Sequence, residues 1–407
     1  MVNRKKGKKR KLFAAAILRA ANCAFCIVLY ALPIVSCALL NSCRDDVMVV
    51  PPTVTETGDS QVVDEYLGMY VLCEGNMGSN KATLDYLDLQ TGEYNRNIYP
   101  SRNPSTVMEL GDVGNDVKIY GSRLWLVINC SNKVEVADAK TAISLGHVDI
   151  PNCRFVAFHE GYAYVTSYVG KVGGTSVIGS VYKVDTLSLK VVGQVEVGYQ
   201  PDELAVVGDR LYVANSGGYN VLQGLDYDNR VSVIDLATFQ VERNIEVAPN
   251  LFRLRADRHG RLWVASRGDY MNYPPRLYLL QDDVVCDSLD TPVSDMAFRG
   301  DSLLFYGAQT NVFTGKITVG YGYIDTASQI VDGKFVDRQY RSIIEDPSVI
   351  EMPYGIMVHP QTGDIYVMDA TNYVSSGRLF CFDSNGKLKW KTWTGDIPGH
   401  AAFLVKN

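Results

Sequence analysis

Short apolar runs of four to seven residues follow one another along the chain from residue 68 onwards, and Gly, Asn or Asp separates them. The clearest group lies at residues 203–207, 211–215, 230–235 and 241–247. Runs of this length, rich in Val, Ile, Leu and aromatic residues, are typical of successive antiparallel strands. No stretch after residue 67 keeps a period of 3.6 residues, so the pattern predicts almost no helix.

This four-strand unit recurs seven times. Its second strand lies at residues 70–73, 125–129, 164–167, 212–215, 263–266, 304–307 and 366–369. Its third strand ends at Asp88, Asp138, Asp185, Asp235, Asp325 and Asp383, with Gln281 in the fifth unit, at intervals of 44 to 58 residues. Seven such units predict an all-β fold, a seven-bladed β-propeller. Each Asp is expected to accept hydrogen bonds from backbone N–H groups two or three residues later.

The two ends of the repeat region complement each other. One more strand-like run, at residues 401–405, follows the seventh unit, whereas the first unit starts at Gly68 without its first strand. We therefore expect the C-terminal run to form the innermost strand of the first blade, because this pairing removes free sheet edges. Deletion of residues 399–407 is then expected to unfold the whole domain.

The N-terminal 42 residues differ from the rest of the chain. A basic block at residues 4–11 precedes an apolar stretch at residues 12–40. The stretch predicts a cleaved secretory signal or, as the alternative, a plain membrane anchor. Leu-Asn-Ser-Cys at 40–43 resembles a bacterial lipobox, which favours the signal and makes Cys43 the lipidated residue, with Cys37 as a second candidate. The predicted organisation is a lipoprotein signal peptide at 1–42, a lipidated flexible tether at 43–67 and the propeller at 68–407.

Charge is distributed unevenly. The net charge is −6, but the first 42 residues hold eight of the 39 Lys and Arg and no acid, which leaves 31 basic against 45 acidic residues, a net −14. Such a body is a poor match for nucleic acid or an anionic membrane surface. We expect no nucleic-acid partner and contact with a membrane only through the lipid anchor.

Five cysteines follow the predicted lipidation site, namely Cys73, Cys130, Cys153, Cys286 and Cys381. Their spacing contains no CxxC pair, which argues against a structural zinc site. A disulfide between Cys130 and Cys153 is one alternative for these residues, but the favoured interpretation is that the cysteines are buried as small apolar side chains.

Catalytic motifs are absent from the sequence. It contains no HExxH, GxSxG, GxGxxG or Walker pattern. Three histidines, His159, His259 and His359, are expected in solvated turns on the face with short loops, and only His400 belongs to the opposite face. Residues 226–229 (Asp-Tyr-Asp-Asn) offer ligands for Ca²⁺, but a solvated acidic loop is the favoured interpretation. We expect neither an enzyme nor a resident cofactor or metal.

One face of the predicted propeller carries the loops between second and third strands and the links between blades. We call it the long-loop face, because these loops exceed what a connection requires, and such loops are usually functional. Tyr, Asn and Arg, which are common in binding surfaces, are frequent there. The predicted ligand-binding residues are Asn76, Asn115, Arg154, Tyr168, Tyr219, Asp228, Arg267, Asp269, Tyr270, Tyr273, Tyr354, Tyr373 and His400.

Several motifs resemble known families. Residues 212–215 (Tyr-Val-Ala-Asn) with 231–235 resemble the YVTN repeat of YncE-like propellers. Residues 74–80, 114–121 with 129–136, and the closing Ile-Pro-Gly-His at 397–400 resemble surface lipoprotein propellers of Bacteroidota that include the BtuG-type cobalamin-binding proteins. The Arg-Asp-Asp that follows Cys43 resembles the surface-export signal of such lipoproteins. The resemblance covers about residues 68–407.

This resemblance implies a lipid-anchored protein of the outer membrane that faces the medium. It implies capture of cobalamin (vitamin B12), a corrinoid, and its transfer to a TonB-dependent, BtuB-like transporter. A corrinoid is large, flat and fringed with amides, so its site should be wide and lined by Asn, Arg and Tyr. Two alternatives remain: a related surface propeller that binds another nutrient, a glycan or a protein, and an enzyme such as a lyase or lactonase.

Overall fold

The computed structural model describes residues 52–60, 65–105, 110–171, 174–310 and 317–406, without the side chains of residues 309 and 310. The predicted signal peptide and both candidate lipidation sites, Cys37 and Cys43, lie outside these residues. Within the described ranges, each helix is too short or too polar to cross a bilayer. The described chain is nearly all β, with seven blades, which confirms the predicted seven-bladed propeller.

The strands are numbered in chain order and grouped by blade. The first blade contains β1 (Val54–Glu56), β2 (Tyr66–Cys73), β3 (Thr83–Asp88) and β4 (Glu93–Asn95). The second contains β5 (Gly114–Tyr120), β6 (Arg123–Ile128), β7 (Lys133–Asp138) and β8 (Ser144–Asp149). The third contains β9 (Cys153–His159), β10 (Tyr162–Ser167), β11 (Ile178–Asp185) and β12 (Lys190–Tyr199). The fourth contains β13 (Pro201–Val207), β14 (Arg210–Asn215), β15 (Arg230–Asp235) and β16 (Gln240–Glu246).

The remaining blades follow the same order from the inner to the outer strand. The fifth contains β17 (Leu251–Ala256), β18 (Leu262–Ser266), β19 (Arg276–Gln281) and β20 (Val284–Leu289). The sixth contains β21 (Asp295–Arg299), β22 (Ser302–Thr310) and β23 (Ile317–Asp325), followed by the hairpin β24 (Ile330–Val331) and β25 (Lys334–Phe335). The seventh contains β26 (Pro353–Val358), β27 (Ile365–Asp369), β28 (Ser376–Phe382) and β29 (Leu388–Asp396), and β30 (Pro398–Val405) ends the fold. The helices among the described residues are α1 (Ile98–Arg102) and two 3₁₀ turns, Asn220–Gln223 and Pro347–Val349.

The ring closes in the first blade as predicted. β30 pairs antiparallel with β2, and Tyr70 lies opposite Ala402. β30 therefore lies innermost in a sheet of order β30-β2-β3-β4-β1, next to the innermost strand of the second blade, β5. The chain ends thus cover the sheet edge that the first blade would otherwise expose.

The prediction of a flexible tether at 43–67 is wrong for its described part. β1 pairs with β4 as a fifth, outermost strand, with Val54 opposite Asn95. Beyond β1, the Asp59 carboxylate lies 2.7 Å from Lys389 Nζ and accepts a hydrogen bond from the Trp390 indole N–H. The segment is held because polar backbone groups at a sheet edge pair readily with a further strand. Residues 43–51 and 61–64 lie outside the described residues.

The sixth blade departs from the predicted four-strand unit. Its sheet has three strands among the described residues, and the next segment turns towards the fifth blade. There the Phe335 ring lies 6.0 Å from that of Trp263, and Arg338 pairs with Asp287 at 2.8 Å. Where a fourth strand would pair with β23, Tyr323 forms an isolated antiparallel β-bridge with Arg341. Apolar burial against the neighbouring blade thus replaces a fourth strand.

The predicted turn role of the repeated Asp is confirmed in all six units. A side-chain oxygen of each Asp accepts from backbone N–H groups two to four residues later; these residues are Asp88, Asp138, Asp185, Asp235, Asp325 and Asp383. The carboxylate satisfies donors that the turn would otherwise leave unpaired.

The apolar core lies in the seams between blades. Trp125 of the second blade is fully buried and packs with Val156 of the third, and Trp263 of the fifth packs with Phe305 of the sixth. Cys73, Cys153 and Cys381 are buried, and the five described cysteines are free, so a disulfide between Cys130 and Cys153 is absent here.

The expectation of a solvated His359 is wrong. Its side chain is fully buried, and its ring lies 4.8 Å from that of Tyr66 and 4.9 Å from that of Phe403. His359 Nδ1 accepts hydrogen bonds from the backbone N–H groups of Gln361 and Thr362. The faces of the imidazole remain free to pack against the aromatic residues where the propeller closes.

Candidate ligand-binding site

A β-bulge occurs near the start of the innermost strand in six of the seven blades. The shifts lie between Gly114 and Asp116, Cys153 and Val156, Pro201 and Leu204, Leu251 and Arg253, Pro353 and Gly355, and Pro398 and His400. Each innermost strand begins at the long-loop face, so the bulges form a ring there. Bulges change the direction of side chains next to functional sites.

Three carboxylates connect neighbouring blades below this ring. Each accepts a hydrogen bond from a backbone N–H of the next innermost strand: Asp116 from Val156 at 3.1 Å, Glu203 from Leu254 at 3.0 Å and Asp295 from Ile356 at 3.0 Å. These residues were not among the predicted ones, because an acidic residue in a strand gives no sign of the neighbouring blade it will face.

Two arginines neutralise this layer. Arg255 lies 3.0 Å from Glu203 and 2.7 Å from Asp295, and Arg253 lies 3.0 Å from Glu203 and 3.4 Å from Asp295. Burial alone would raise the pKa of Glu203, but Arg255 and Arg253 outweigh it and lower the pKa to about 2. Glu203 and Asp295 therefore form a balanced ion network with the two arginines, and Asp116 lies 3.3 Å from Lys118 Nζ.

His400 belongs to this inner layer and is buried. Its Nδ1 lies 3.8 Å from Asp116, and its ring meets that of Phe155 edge to face. Burial first, and then the nearby Arg253, Lys118 and Arg255, hold the pKa of His400 well below its ordinary value. The imidazole is thus neutral at physiological pH.

The members of a second group of predicted residues contact one another. Tyr168 donates a hydrogen bond to Asp202 at 2.6 Å, and the Arg154 guanidinium lies 4.7 Å from the Tyr168 ring and 3.5 Å from Asp202. Asn115 donates to the backbone carbonyl of Arg154 at 2.8 Å. Tyr219 meets Tyr168 edge to face and is half exposed. Tyr168 and Tyr219 line a small recess of about 20 Å³.

Two further predicted residues have structural roles. Both oxygens of Asp228 accept from the Arg230 guanidinium, at 2.8 and 2.7 Å, and one also accepts from the Tyr199 N–H. This engagement weakens the Ca²⁺ alternative at 226–229, because Arg230 already neutralises the carboxylate. The carbonyl of Asn76 accepts from the Ser79 N–H within its own loop.

The large cavity of the long-loop face lies between the fifth, sixth and seventh blades and measures about 650 Å³. Five predicted residues line it: Arg267, Tyr270, Tyr273, Tyr354 and Tyr373. The rest of the lining consists of residues that were not predicted, including Phe252, Arg253, Met271, Pro274, Pro275, Pro292, Tyr306 and Met352. Aromatic rings and prolines make up most of the lining, and two arginines, two serines and the tyrosine hydroxyls add polar groups, a combination found in small-molecule sites.

Asp269 shapes the wall formed by the fifth blade. Its Oδ1 accepts from the N–H groups of Met271, Asn272 and Tyr273, at 2.7 to 2.9 Å. Gly268 has φ of +67°, and a Cβ there would collide with the Tyr273 carbonyl. Asp269 was predicted to bind ligand, but its carboxylate is used to fix this loop.

The opposite wall contains the pair Tyr354 and Tyr373, whose rings meet edge to face at 5.6 Å. The Tyr354 hydroxyl donates to Glu74 Oε2 at 3.0 Å. Burial raises the pKa of the Glu74 carboxyl to about 7, although the Tyr354 hydrogen bond, Arg154 and Arg253 act in the opposite direction. Glu74 is therefore partly protonated near neutral pH.

The sequence profile of a family described as Domain of unknown function (DUF5074) matches residues 67–393. The chain belongs to the DUF5074 family. No protein among the curated sequences matches it.

Solved structures similar to this DUF5074 chain share its fold. One is "Kuenenia stuttgartiensis Hydrazine Synthase", with a TM-score of 0.52, 16% identity, and coverage of 67% of this chain and 77% of that chain. Another is a quinonprotein alcohol dehydrogenase-like protein from Bacteroides thetaiotaomicron VPI-5482, with a TM-score of 0.55, 13% identity, and coverage of 83% and 78%. At these identities the similarity shows the fold alone.

The DUF5074 propeller thus separates the predicted site into two parts. Arg267, Tyr270, Tyr273, Tyr354 and Tyr373 meet around one cavity. The others pack elsewhere on the long-loop face, in turns or in the ion network. Pro274 and Pro275 line the cavity but were not predicted. Their adjacency in a long loop was a sequence signal for a cavity wall, since paired prolines make a loop rigid.

Proposed function

We propose that this protein is a lipid-anchored surface protein that captures a corrinoid, such as cobalamin, on its long-loop face and passes it to a TonB-dependent, BtuB-like outer-membrane transporter. The observation that carries the proposal is the cavity of about 650 Å³ lined by Tyr270, Tyr273, Tyr354, Tyr373 and Arg267. A binding role, without catalysis and without a resident cofactor, is part of this proposal.

The lining suits a flat ligand with an amide fringe. Tyrosine offers an apolar ring for stacking and a hydroxyl for hydrogen bonds, and Arg267 offers donors for amide oxygens. Tyr270 and Tyr273 are 63% and 60% exposed, so they stand at an open mouth. A ligand larger than the cavity can therefore bind with one side inside and its remaining body towards solvent.

The course of the N-terminal segment supports the transfer step. β4 runs towards the long-loop face, and β1 is antiparallel to it with Val54 opposite Asn95. The chain therefore enters β1 from the side of the long-loop face. A lipid at Cys43, eleven residues before Val54, would hold this face within about 40 Å of its membrane.

The first experiment is a binding assay with the chain from residue 44 onwards. The protein is mixed with excess cyanocobalamin and desalted, and the visible spectrum of the protein fraction is recorded. A pink fraction near one corrinoid per chain is the expected result. A colourless fraction from folded protein would refute corrinoid capture.

Variants locate the site within the face. Tyr270→Ala and Tyr273→Ala together are expected to weaken cyanocobalamin binding at least about tenfold, since each removes a stacking surface. Tyr219→Ala is the matched control, because Tyr219 is an exposed tyrosine of the same face that lies outside the large cavity. Equal losses in both variants would place the ligand elsewhere.

A second candidate is a related surface propeller that binds another nutrient, a glycan or a protein segment. The prolines at 274, 275, 292 and 353 favour it, since with the tyrosines they form walls on which sugar rings or extended peptides stack. A colourless fraction together with co-purification of a neighbouring outer-membrane protein would support this candidate.

A further inference from the structure

The arginines near the cavity differ in how far they are neutralised. Arg253, in the cavity floor, is paired with both Glu203 and Asp295. Arg154 and Arg267 share a single carboxylate, Asp202, which also accepts from Tyr168. Among the described residues, Asp202 is thus the one carboxylate within 4.0 Å of either of these two guanidinium groups.

Arg267 is the less engaged of the two. Asp202 is the one carboxylate within 4.0 Å of its guanidinium among the described residues, and the distance is 3.9 Å, too long for a hydrogen bond. The side chain is 43% exposed and lines the cavity. Its hydrogen-bond donors are thus available to a molecule in the cavity.

The guanidinium is nevertheless held in place. Its central carbon lies 3.8 Å from the centre of the Phe252 ring, a stacking distance. Phe252 is buried at the bulge of β17, so the ring is fixed by the propeller. A stacked guanidinium retains its planar fork of N–H donors, which matches the oxygens of phosphate and carboxylate groups.

We propose that Arg267, stacked on Phe252, is an anion subsite of the cavity that binds an oxyanion of the ligand while the tyrosines bind its apolar body. The inference deepens the proposed function and rests on it for the ligand: in cobalamin the oxyanion is the phosphodiester of the nucleotide loop. The body of the protein is acidic, with a net −14 after residue 42, so the exposed Arg267 guanidinium gives this cavity a local positive charge that an anionic ligand would not meet on most of the surface.

The test compares two corrinoids that differ in this group. Cyanocobalamin carries the phosphodiester, whereas dicyanocobinamide lacks the whole nucleotide loop. Wild-type protein is expected to bind cyanocobalamin at least about tenfold more tightly, the value of one charge-assisted contact. Arg267→Gln is expected to weaken cyanocobalamin binding by a similar factor and to leave dicyanocobinamide binding unchanged.

Arg276→Gln is the matched control. Arg276 is an arginine of the same blade with a similarly exposed side chain, it pairs with Asp290 at 3.0 Å, and it lies outside the cavity lining. The Arg276→Gln variant is expected to bind both corrinoids with the affinity of the wild type. Equal weakening of both corrinoids by Arg267→Gln, or of neither, would overturn the subsite.

Small probes separate this inference from the proposed function. If neither corrinoid binds, corrinoid capture fails, and the subsite is tested with phenyl phosphate, benzoate and benzyl alcohol by calorimetric titration. Wild-type protein is expected to prefer the two anions to the alcohol, and Arg267→Gln to lose that preference. The ratio of phenyl phosphate to benzoate affinity distinguishes phosphate from carboxylate, and equal binding of all three probes contradicts the proposal.

Discussion

The hydroxyl of Tyr354 donates a hydrogen bond of 3.0 Å to the carboxylate of Glu74, and this bond joins the cavity wall in the seventh blade to the first long loop of the first blade. Glu74 is also tied to the chain terminus, since its backbone N–H donates to the Ile397 carbonyl. The orientation of a cavity tyrosine thus depends on a carboxyl group whose pKa burial raises to about 7.

We expect Glu74→Gln to change how stability depends on pH. The pKa of Glu74 rises from 4.5 to about 7 on folding, so the folded state retains a proton that the unfolded state releases. The free energy of unfolding of the wild type should therefore fall as pH rises from about 4.5 to 7, by an amount on the order of 3 kcal/mol. Urea unfolding at pH 5 and pH 8 measures this difference.

Glu74→Gln keeps an acceptor for Tyr354 and should remove most of that difference. Glu242→Gln, which alters a surface carboxylate paired with Arg210, serves as the control and should behave like the wild type. Identical pH dependence in all three proteins would contradict the role of Glu74.

Glu203→Gln should destabilise the propeller by about 3 kcal/mol, because Arg253 and Arg255 lose one of their two buried carboxylate partners. The pKa of Glu203 falls from 4.5 to about 2 on folding, so its stabilisation is complete above pH 4.5 and is lost as pH falls towards 2. Acid unfolding followed by circular dichroism should show a smaller loss between pH 4.5 and 2 in the variant. An unchanged acid transition would disprove this assignment.

Removal of residues 399–407 should abolish cooperative unfolding of the whole propeller, since β2 loses its inner partner and the ring opens. Leu404→Ala is a graded version that can still fold; Leu404 is buried between the first and second blades, and the expected cost is about 2–5 kcal/mol. Urea melts followed by fluorescence test both. Val405→Ala, at an exposed position of the same strand, should cost less than about 1 kcal/mol.

Asp269→Ala should separate binding from stability. Three backbone N–H groups lose their acceptor, so the wall containing Tyr270 and Tyr273 loses its fixed shape. The affinity for cyanocobalamin should fall at least about fivefold, while the free energy of unfolding changes by less than about 1 kcal/mol, because the loop is exposed. Asp235→Ala, which removes a similar turn on the opposite face, should leave affinity unchanged.

The fold could be predicted because its signals are local. Each blade has short apolar runs and an Asp that closes its third turn, and the unequal ends of the repeat implied the pairing of β30 with β2. The sixth blade was mispredicted because Phe335 packs on a neighbouring blade, an interaction between residues that no local pattern connects. The strand β1 was missed because a Pro- and Thr-rich segment has no apolar period, and its pairing depends on the free edge of β4.

The site could be predicted only in part. The repeat identified the long-loop face, and five tyrosine and arginine side chains of that face meet in one cavity. The carboxylates of Asp228 and Asp269 are engaged by Arg230 and by backbone N–H groups of their own loops. The sequence could not show this, because a carboxylate in a loop can bind a ligand or its own backbone and only the loop conformation decides. Glu203 and Glu74 were missed since their environment comes from strands of other blades.

The pairing of β30 with β2 also sets the order in which the protein can fold. Tyr70 meets Ala402, its partner across the sheet, only after more than 300 further residues have been made. The first blade to leave the ribosome is thus the last to be completed, and β2 keeps an unpaired inner edge until then. Slow synthesis of the last residues prolongs the time for which the inner edge of β2 is unpaired. Aggregation during synthesis should therefore depend on β30 more than on any other strand.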